Sequence, residues 1–293
     1  MHPVLFVIPI PFSETKILIY SVFFSITVAL VLAIYLGTRA AQKQGLPVET
    51  ALNMTFFGLI ALILGARLYA VFENPSFYVA HPLRLIKLWE GSLATYGGVI
   101  GGVLGCLAYL RLKRQPVFAF LDTYAPYGFL GIAIIRFGDF LNGTAFGKRT
   151  TLPWGVTFPQ DSFAYNYHRN HGWISADAVA SLPVHPTQLY CTGVCLAIFL
   201  FLIWKTRKGK RFQGEIFLLG GLVYSGARFL IDFARDDLRT HLPLQLASTQ
   251  WVGIFVFMTL VATALFLHWR PAVSPHLPEA QSPRLQGPRS KAA

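Results

Sequence analysis

Residues 17–37 read ILIYSVFFSITVALVLAIYLG, an unbroken run without a charged side chain. Wound as a helix, a run of this length crosses the roughly 30 Å hydrocarbon core of a bilayer. It is too long for a removable leader and lacks a small-residue cleavage site. Six further apolar stretches follow at residues 51–72, 96–110, 117–137, 189–204, 215–233 and 248–269. The expected fold is all-α and integral to a membrane, with seven transmembrane helices. The stretches 96–110 and 189–204 are short and lean on flanking interfacial residues.

Composition agrees with this reading. The chain has 293 residues, of which 54% are hydrophobic and 13% charged, whereas soluble domains carry about twice that share of charge. Such a chain is too apolar for general disorder. Its three cysteines lie outside the polar segments and suggest neither a disulfide framework nor a Cys/His metal site. No metal site is expected from these residues. The net charge of +12 points to a membrane rather than nucleic acid, because the basic residues flank apolar spans.

Their distribution also orients the chain. With the N-terminus outside, the inside connections and tail hold 14 of the 25 Lys and Arg, among them Arg39, Lys43, Arg111, Lys113, Lys205 and Lys208. The outside segments hold fewer, so the positive-inside rule places the C-terminus in the cytoplasm, as an odd number of spans requires.

Two connections differ from lipid-facing helix. Residues 73–95, with Pro75, Pro82, Trp89 and Glu90, suit an interfacial or re-entrant piece. Residues 138–184 form a long external segment whose Phe140, Phe146, Phe158, Phe163, Tyr165 and Tyr167 predict a small folded head. His168 and His171 read as polar surface of that head. The membrane domain with its head covers residues 1–270, and residues 271–293, rich in Pro, Ser and Arg, read as a disordered cytoplasmic tail. No internal repeat marks an inverted-repeat transporter.

Three arginines, Arg67, Arg136 and Arg228, fall within or at the edge of apolar spans. An ionised Arg at bilayer depth costs about 2.5–3.5 kcal/mol on insertion scales, so each needs a cavity or an anionic partner. Structural pairing or snorkelling is the plain alternative for any one of them. All three fall near the outer ends of their spans. Tyr224, Arg228, Asp232 and Arg235 recur at helical spacing and share one face. Asp232 there either orients an arginine fork for phosphate or closes a self-contained salt-bridge ladder. The glycines of 97-GGVIGG-102 either expose amides to an anion at a helix start or serve close helix packing. Cys191 and Cys195, one turn apart, read as small apolar fillers.

These residues resemble the prolipoprotein diacylglyceryl transferase family over about residues 19–269. The segment 136-RFGDFLNGTAFG-147 is similar to the family's G-R-x-G-N-F-x-N-x-E-x-x-G. The segment 185-HPTQLY-190 resembles H-P-[ST]-Q-L-Y, and Tyr224 to Arg235 resembles Y-x-x-x-R-x-x-x-E-x-x-R. Tyr20 and 65-GAR-67 match a further tyrosine and a G-x-R element. The resemblance implies an inner-membrane enzyme with a periplasmic head. It would transfer diacylglyceryl from phosphatidylglycerol, a membrane lipid, to the lipobox cysteine thiol of prolipoprotein signal peptides, with no metal or other cofactor. In such an enzyme Arg136 and Arg228 would hold the lipid phosphate and offset the leaving-group charge, while Asp232 and Arg235 orient that face. Tyr224 and Tyr20 would line the pocket, with Arg67 nearby. Gly97 and Gly98 would allow close backbone approach, and Asp139, Asn142 and Gly147 would shape the signature loop. His185 would brace that loop with Gln188.

Five positions depart from the pattern. Tyr96 stands where the family's H-G-G-L-x-G motif begins with histidine. Ile135 replaces the glycine before Arg136, Asp139 the first asparagine, Thr144 the glutamate, and Cys191 the glutamate after H-P-[ST]-Q-L-Y. A phenol near pKa 10 is a poorer base at neutral pH than an imidazole near 6.5, although arginines nearby would favour Tyr96 as a phenolate. The changes at Asp139 and Thr144 offset one another in charge if they share a pocket. Two readings remain open: a transferase in which the arginine pair carries the chemistry, or a diverged phospholipid-binding paralogue, non-catalytic or with a different acceptor.

Overall fold

Helices form over every apolar stretch, and prolines and glycines mark several of their ends. The computed structural model describes residues 4–9, 16–85, 95–175, 177–236, 244 and 246–269. A hairpin of β1 (Val4–Pro9) and β2 (Lys16–Tyr20) leads into α1 (Ser21–Lys43) and α2 (Val48–Glu73). A short α3 (Pro75–Ala80) precedes α4 (Thr95–Leu112) and α5 (Val117–Asn142). Next come α6 (Phe163–Asn170), α7 (Thr187–Lys208), α8 (Glu215–Asp232) and α9 (Ser248–Trp269). Pro47, Pro116 and Pro186 stand just before α2, α5 and α7, where the missing N–H costs no helical bond.

Five of these helices, α1, α2, α5, α7 and α9, are long and apolar enough to cross a membrane. The apolar part of α4, Gly97–Leu112, is shorter, and α8 carries Glu215, Arg228 and Asp232 within its span.

Two expectations about boundaries need correction. The first apolar run does not begin as helix. Residues 16–20 form a strand paired with β1, and Tyr20 is still extended at φ −75° and ψ 143°. The β-branched Ile17 and Ile19 suit a strand, so the fold is not wholly helical. Second, α5 passes both its internal Pro126 and Phe137 and ends at Asn142. The head therefore starts at Gly143, whose φ of 75° gives the left-handed cap that stops the helix. Residues 73–95, expected as an interfacial or re-entrant piece, contain α3 and a 3-10 turn at Pro82–Leu85. Residues 86–94, with Trp89 and Glu90, lie outside the described residues, as does the tail 271–293.

Helix α5 packs against α1, α7 and α8, while α2 lies along α4 and α8 along α9. The glycines of α4 explain the second pairing. A Cβ at Gly97 would strike Tyr69 and the Gly65 carbonyl, and one at Gly101 the Ala61 carbonyl. Bare backbone is what lets these helices approach, so packing accounts for Gly97 and Gly101, whereas a Cβ at Gly98 would meet Ala66 and Leu62 only at ordinary contact distances of 3.4–3.6 Å.

The bundle has two chemically distinct ends. At one, Lys43, Arg111, Lys205, Arg207 and Lys208 occupy the last turns of α1, α4 and α7. There the buried Asp122 of α5 accepts from the Gly214 and Phe217 amides at 2.8 and 3.1 Å and from Lys210 at 3.1 Å. It caps the start of α8 from another helix, satisfying orphan donors at the positive end of that dipole. Asp122→Ala is expected to cost about 3 kcal/mol, since bonds to a charged acceptor are each worth about 1.5–3. A lowered melting temperature in detergent micelles checks this.

At the other end lies the segment between α5 and α7, the one read from sequence as a head. Phe146, Phe158, Ala164 and Val184 bury together with Phe140, Val156 and Tyr167. Bridges from Arg149 and Val156 to Val184 and from Pro159 to Ala180 close it. The aromatic residues of this segment do make a core, with Phe163 left exposed.

Candidate active site

Arg136 and Asp139 stand three residues apart on one face of α5, and their side chains pair, Nη1 to Oδ2, at 2.9 Å. The other carboxylate oxygen of Asp139 accepts from the Thr144 hydroxyl at 3.3 Å. Thr144 is fixed in turn. Its N–H donates to the Asp139 carbonyl at 3.1 Å, and its own carbonyl accepts from Gln188 Nε2 at 2.7 Å. Thr187 donates to the neighbouring Ala145 carbonyl at 2.9 Å. The turn after α5 is thereby fastened to the first turn of α7.

Gly147 continues this turn towards α8. Its N–H donates to the His185 carbonyl at 3.0 Å, and it pairs with Arg235 in an antiparallel bridge. A Cβ here would stand 2.5 Å from the His185 carbonyl oxygen and 2.7 Å from that of Ala234. Only glycine lets the chain pass between the entry to α7 and the exit from α8.

The face of α8 completes the site. Arg228 Nη2 lies 2.9 Å from Asp232 Oδ1, and Arg235 Nη1 lies 3.8 Å from the same oxygen. The Asp232 side chain is fully enclosed. Arg235 is also within electrostatic range of Asp139. Positive and negative groups thus alternate from Arg136 through Asp139, Arg235 and Asp232 to Arg228. Three guanidinium groups face two carboxylates, leaving one net positive charge. Tyr224 and Cys191 are each within range of both Arg136 and Arg228. Arg136 keeps one unused donor: its Nε is buried without a hydrogen-bond acceptor among the described residues. An anionic oxygen at that position would satisfy it, and the charge excess would favour its entry.

The remaining sequence candidates lie as follows. His185 holds the loop through its backbone, and its ring nitrogen meets the Tyr190 hydroxyl at 3.2 Å. Gln188 braces Thr144, as described. Asn142 is the last residue of α5. Arg67 is buried and donates to the Tyr78 hydroxyl at 3.3 Å. Tyr20 precedes α1, edge-on to Phe23 at 6.4 Å. Tyr96 lies in the first turn of α4, and its side chain is outside the described residues.

Two of the positions that depart from the family pattern lie against this cluster. Thr144 meets Asp139, and Cys191, packed with Ala133 and Cys195 as an apolar filler would be, is also within electrostatic range of Arg136 and Arg228.

His168 corrects a further expectation. It is fully buried, not polar surface of the head, within rings of Phe146, Tyr167 and Trp173. Its Nδ1 accepts from the Leu182 amide at 3.1 Å, which requires the neutral imidazole. Burial pushes its pKa below the ordinary value; Asp236 opposes this, and Arg149 and His171 add to it. The unfolded chain therefore binds the proton more readily than the folded one. The stabilisation is complete above about pH 6.5 and is lost as pH falls below that value towards the lower folded pKa. The melting temperature is expected to drop between pH 7 and pH 5, with a smaller drop in His168→Gln.

The profile of the prolipoprotein diacylglyceryl transferase family matches residues 3–267. A phosphatidylglycerol–prolipoprotein diacylglyceryl transferase of Cupriavidus necator is 35% identical over 224 residues, covering 74% of this chain and 75% of that protein. The protein of the same name from Bordetella parapertussis is 32% identical over 254 residues, covering 85% and 89%. That from Burkholderia orbicola is 32% identical over 248 residues, covering 79% and 82%.

Proposed function

The chain belongs to the prolipoprotein diacylglyceryl transferase family, and on that premise we propose that it moves diacylglyceryl from phosphatidylglycerol to the lipobox cysteine of lipoprotein precursors. The observation that carries the reading is the Arg136–Arg228 cluster, with one net positive charge and an unused buried donor at Arg136 Nε. In the reaction a thiolate attacks the glyceryl carbon that bears the phosphate. A carbon–sulfur bond forms, the carbon–oxygen bond breaks, and glycerol phosphate leaves.

The phosphate gains negative charge as that bond breaks. Cations fixed beside it therefore stabilise the transition state more than the bound lipid. Arg136 and Arg228 hold the phosphate; Asp232 and Arg235 keep the Arg228 face in register. Tyr20, Arg67, Tyr224, Asn142 and the Gly147 loop bound the space for lipid and peptide. Only a deprotonated thiol is nucleophilic, and Tyr96, which stands at the position of the family's histidine, is the candidate to take its proton.

The chain crosses the inner membrane seven times in this reading, with the shorter α4 and the charge-bearing α8 as the two further spans. The basic helix ends and the tail are cytoplasmic, while the N-terminus, the arginine cluster and the head are periplasmic. A reporter fused after Trp269 is then active only as a cytoplasmic fusion.

The test of the substrate pair is release of glycerol phosphate from phosphatidylglycerol vesicles holding the purified protein. Release is expected only when a lipobox peptide is supplied. Equal release without peptide would mark a lipid hydrolase, and release supported equally by phosphatidylethanolamine would remove the lipid assignment.

A further inference from the structure

We infer that Asp139 and Thr144 form one positioning unit that sets the Arg136 guanidinium for the leaving phosphate, with the carboxylate supplied from position 139 in this chain. The inference rests on the reading of Arg136 as a phosphate ligand and adds the residues that aim it. The two oxygens of Asp139 have separate duties: Oδ2 holds Arg136 Nη1 at 2.9 Å, and Oδ1 takes the Thr144 hydroxyl at 3.3 Å. A carboxylate held at both oxygens cannot rotate freely about its terminal bond, so the guanidinium plane is fixed with it.

Thr144 is itself held at both backbone groups. Gln188 reaches its carbonyl from α7, and its amide turns back onto the Asp139 carbonyl. The unit therefore links α5 to the first turn of α7, leaving Arg136 Nε free for an incoming oxygen. The signature that this segment resembles has an amide at the position of Asp139 and a carboxylate at that of Thr144. The two side chains touch here, so exchanging their chemistry leaves one carboxylate in the same place. A glutamate at 144 would extend beyond the Thr144 hydroxyl into the space of the Asp139 carboxylate.

The exchange can be reversed in the full-length protein in phosphatidylglycerol vesicles with a lipobox peptide. Asp139→Asn is expected to lower kcat about 10–100-fold. It raises the net charge of the cluster by one, so KM for the anionic lipid should stay level or fall. Adding Thr144→Glu to Asp139→Asn should restore kcat at least tenfold. Thr144→Glu alone places two carboxylates together and should raise KM for the lipid. Melting temperatures of all three are measured alongside.

An Asp139→Asn variant with unchanged kcat would overturn the inference. So would a double variant that recovers the melting temperature but not kcat, since the pair would then serve folding alone. Absence of activity in the unaltered protein would instead count against the transferase reading, which keeps the two failures distinct.

Discussion

Arg136→Ala is expected to abolish most transfer, lowering kcat/KM about 10²–10³-fold while the protein still folds. Removing one preorganised donor from a site of developing negative charge costs about 3–4 kcal/mol, and each 1.4 kcal/mol is a factor of ten. Arg136 forms its direct ion pair with a residue of its own helix and keeps a quarter of its side chain exposed. Its loss therefore leaves no fully enclosed counter-charge. Arg136→Lys should recover only part of the rate, since an ammonium cannot hold the Asp139 carboxylate and a phosphate oxygen in one plane. Rates in phosphatidylglycerol vesicles, compared with melting temperatures of the same preparations, separate lost chemistry from lost fold.

Asp232→Ala should do more damage to the fold itself. Its carboxylate is fully enclosed between Arg228 at 2.9 Å and Arg235 at 3.8 Å. Removing it leaves two largely buried guanidinium groups facing each other without their shared partner. Breaking a buried ion pair from one side typically costs about 3–5 kcal/mol. The melting temperature should fall further than in Arg136→Ala, and the head, joined to the end of α8 through the Gly147–Arg235 bridge, should become more open to protease. Asp232→Asn keeps the shape and loses the charge, so a comparable loss is expected there. A variant as stable as the parent would mean that the arginines find other counter-charges.

Much of this arrangement was legible because a chain in lipid must satisfy its own backbone. Long uncharged runs such as residues 17–37 therefore carry the helical signal almost alone. The same rule misread residues 17–20, since an apolar strand before an apolar helix shows no change of composition. The end of α5 was placed early because Arg136 and Asp139 look like a polar boundary, whereas they pair across one turn within the helix. The face of Tyr224, Arg228, Asp232 and Arg235 was readable from spacing, being local to one helix. The Thr144–Gln188 bond joins residues 44 apart and exists only once the turn after α5 meets α7. His168 misled because a histidine among polar residues defaults to the surface. Its burial comes from rings that the folded head gathers around it.

The intact mass of a lipobox peptide, followed in vesicles of phosphatidylglycerol with the purified protein, bears most directly on the function. The peptide is expected to gain one diacylglyceryl group on its cysteine, with the gain lost in Arg136→Ala and on alkylation of that thiol. Product formed despite tyrosine at position 96 would show that the chemistry does not require histidine there. An unchanged peptide, in vesicles where the Cupriavidus necator relative modifies it, would contradict the transferase reading and leave a phospholipid-binding protein in its place.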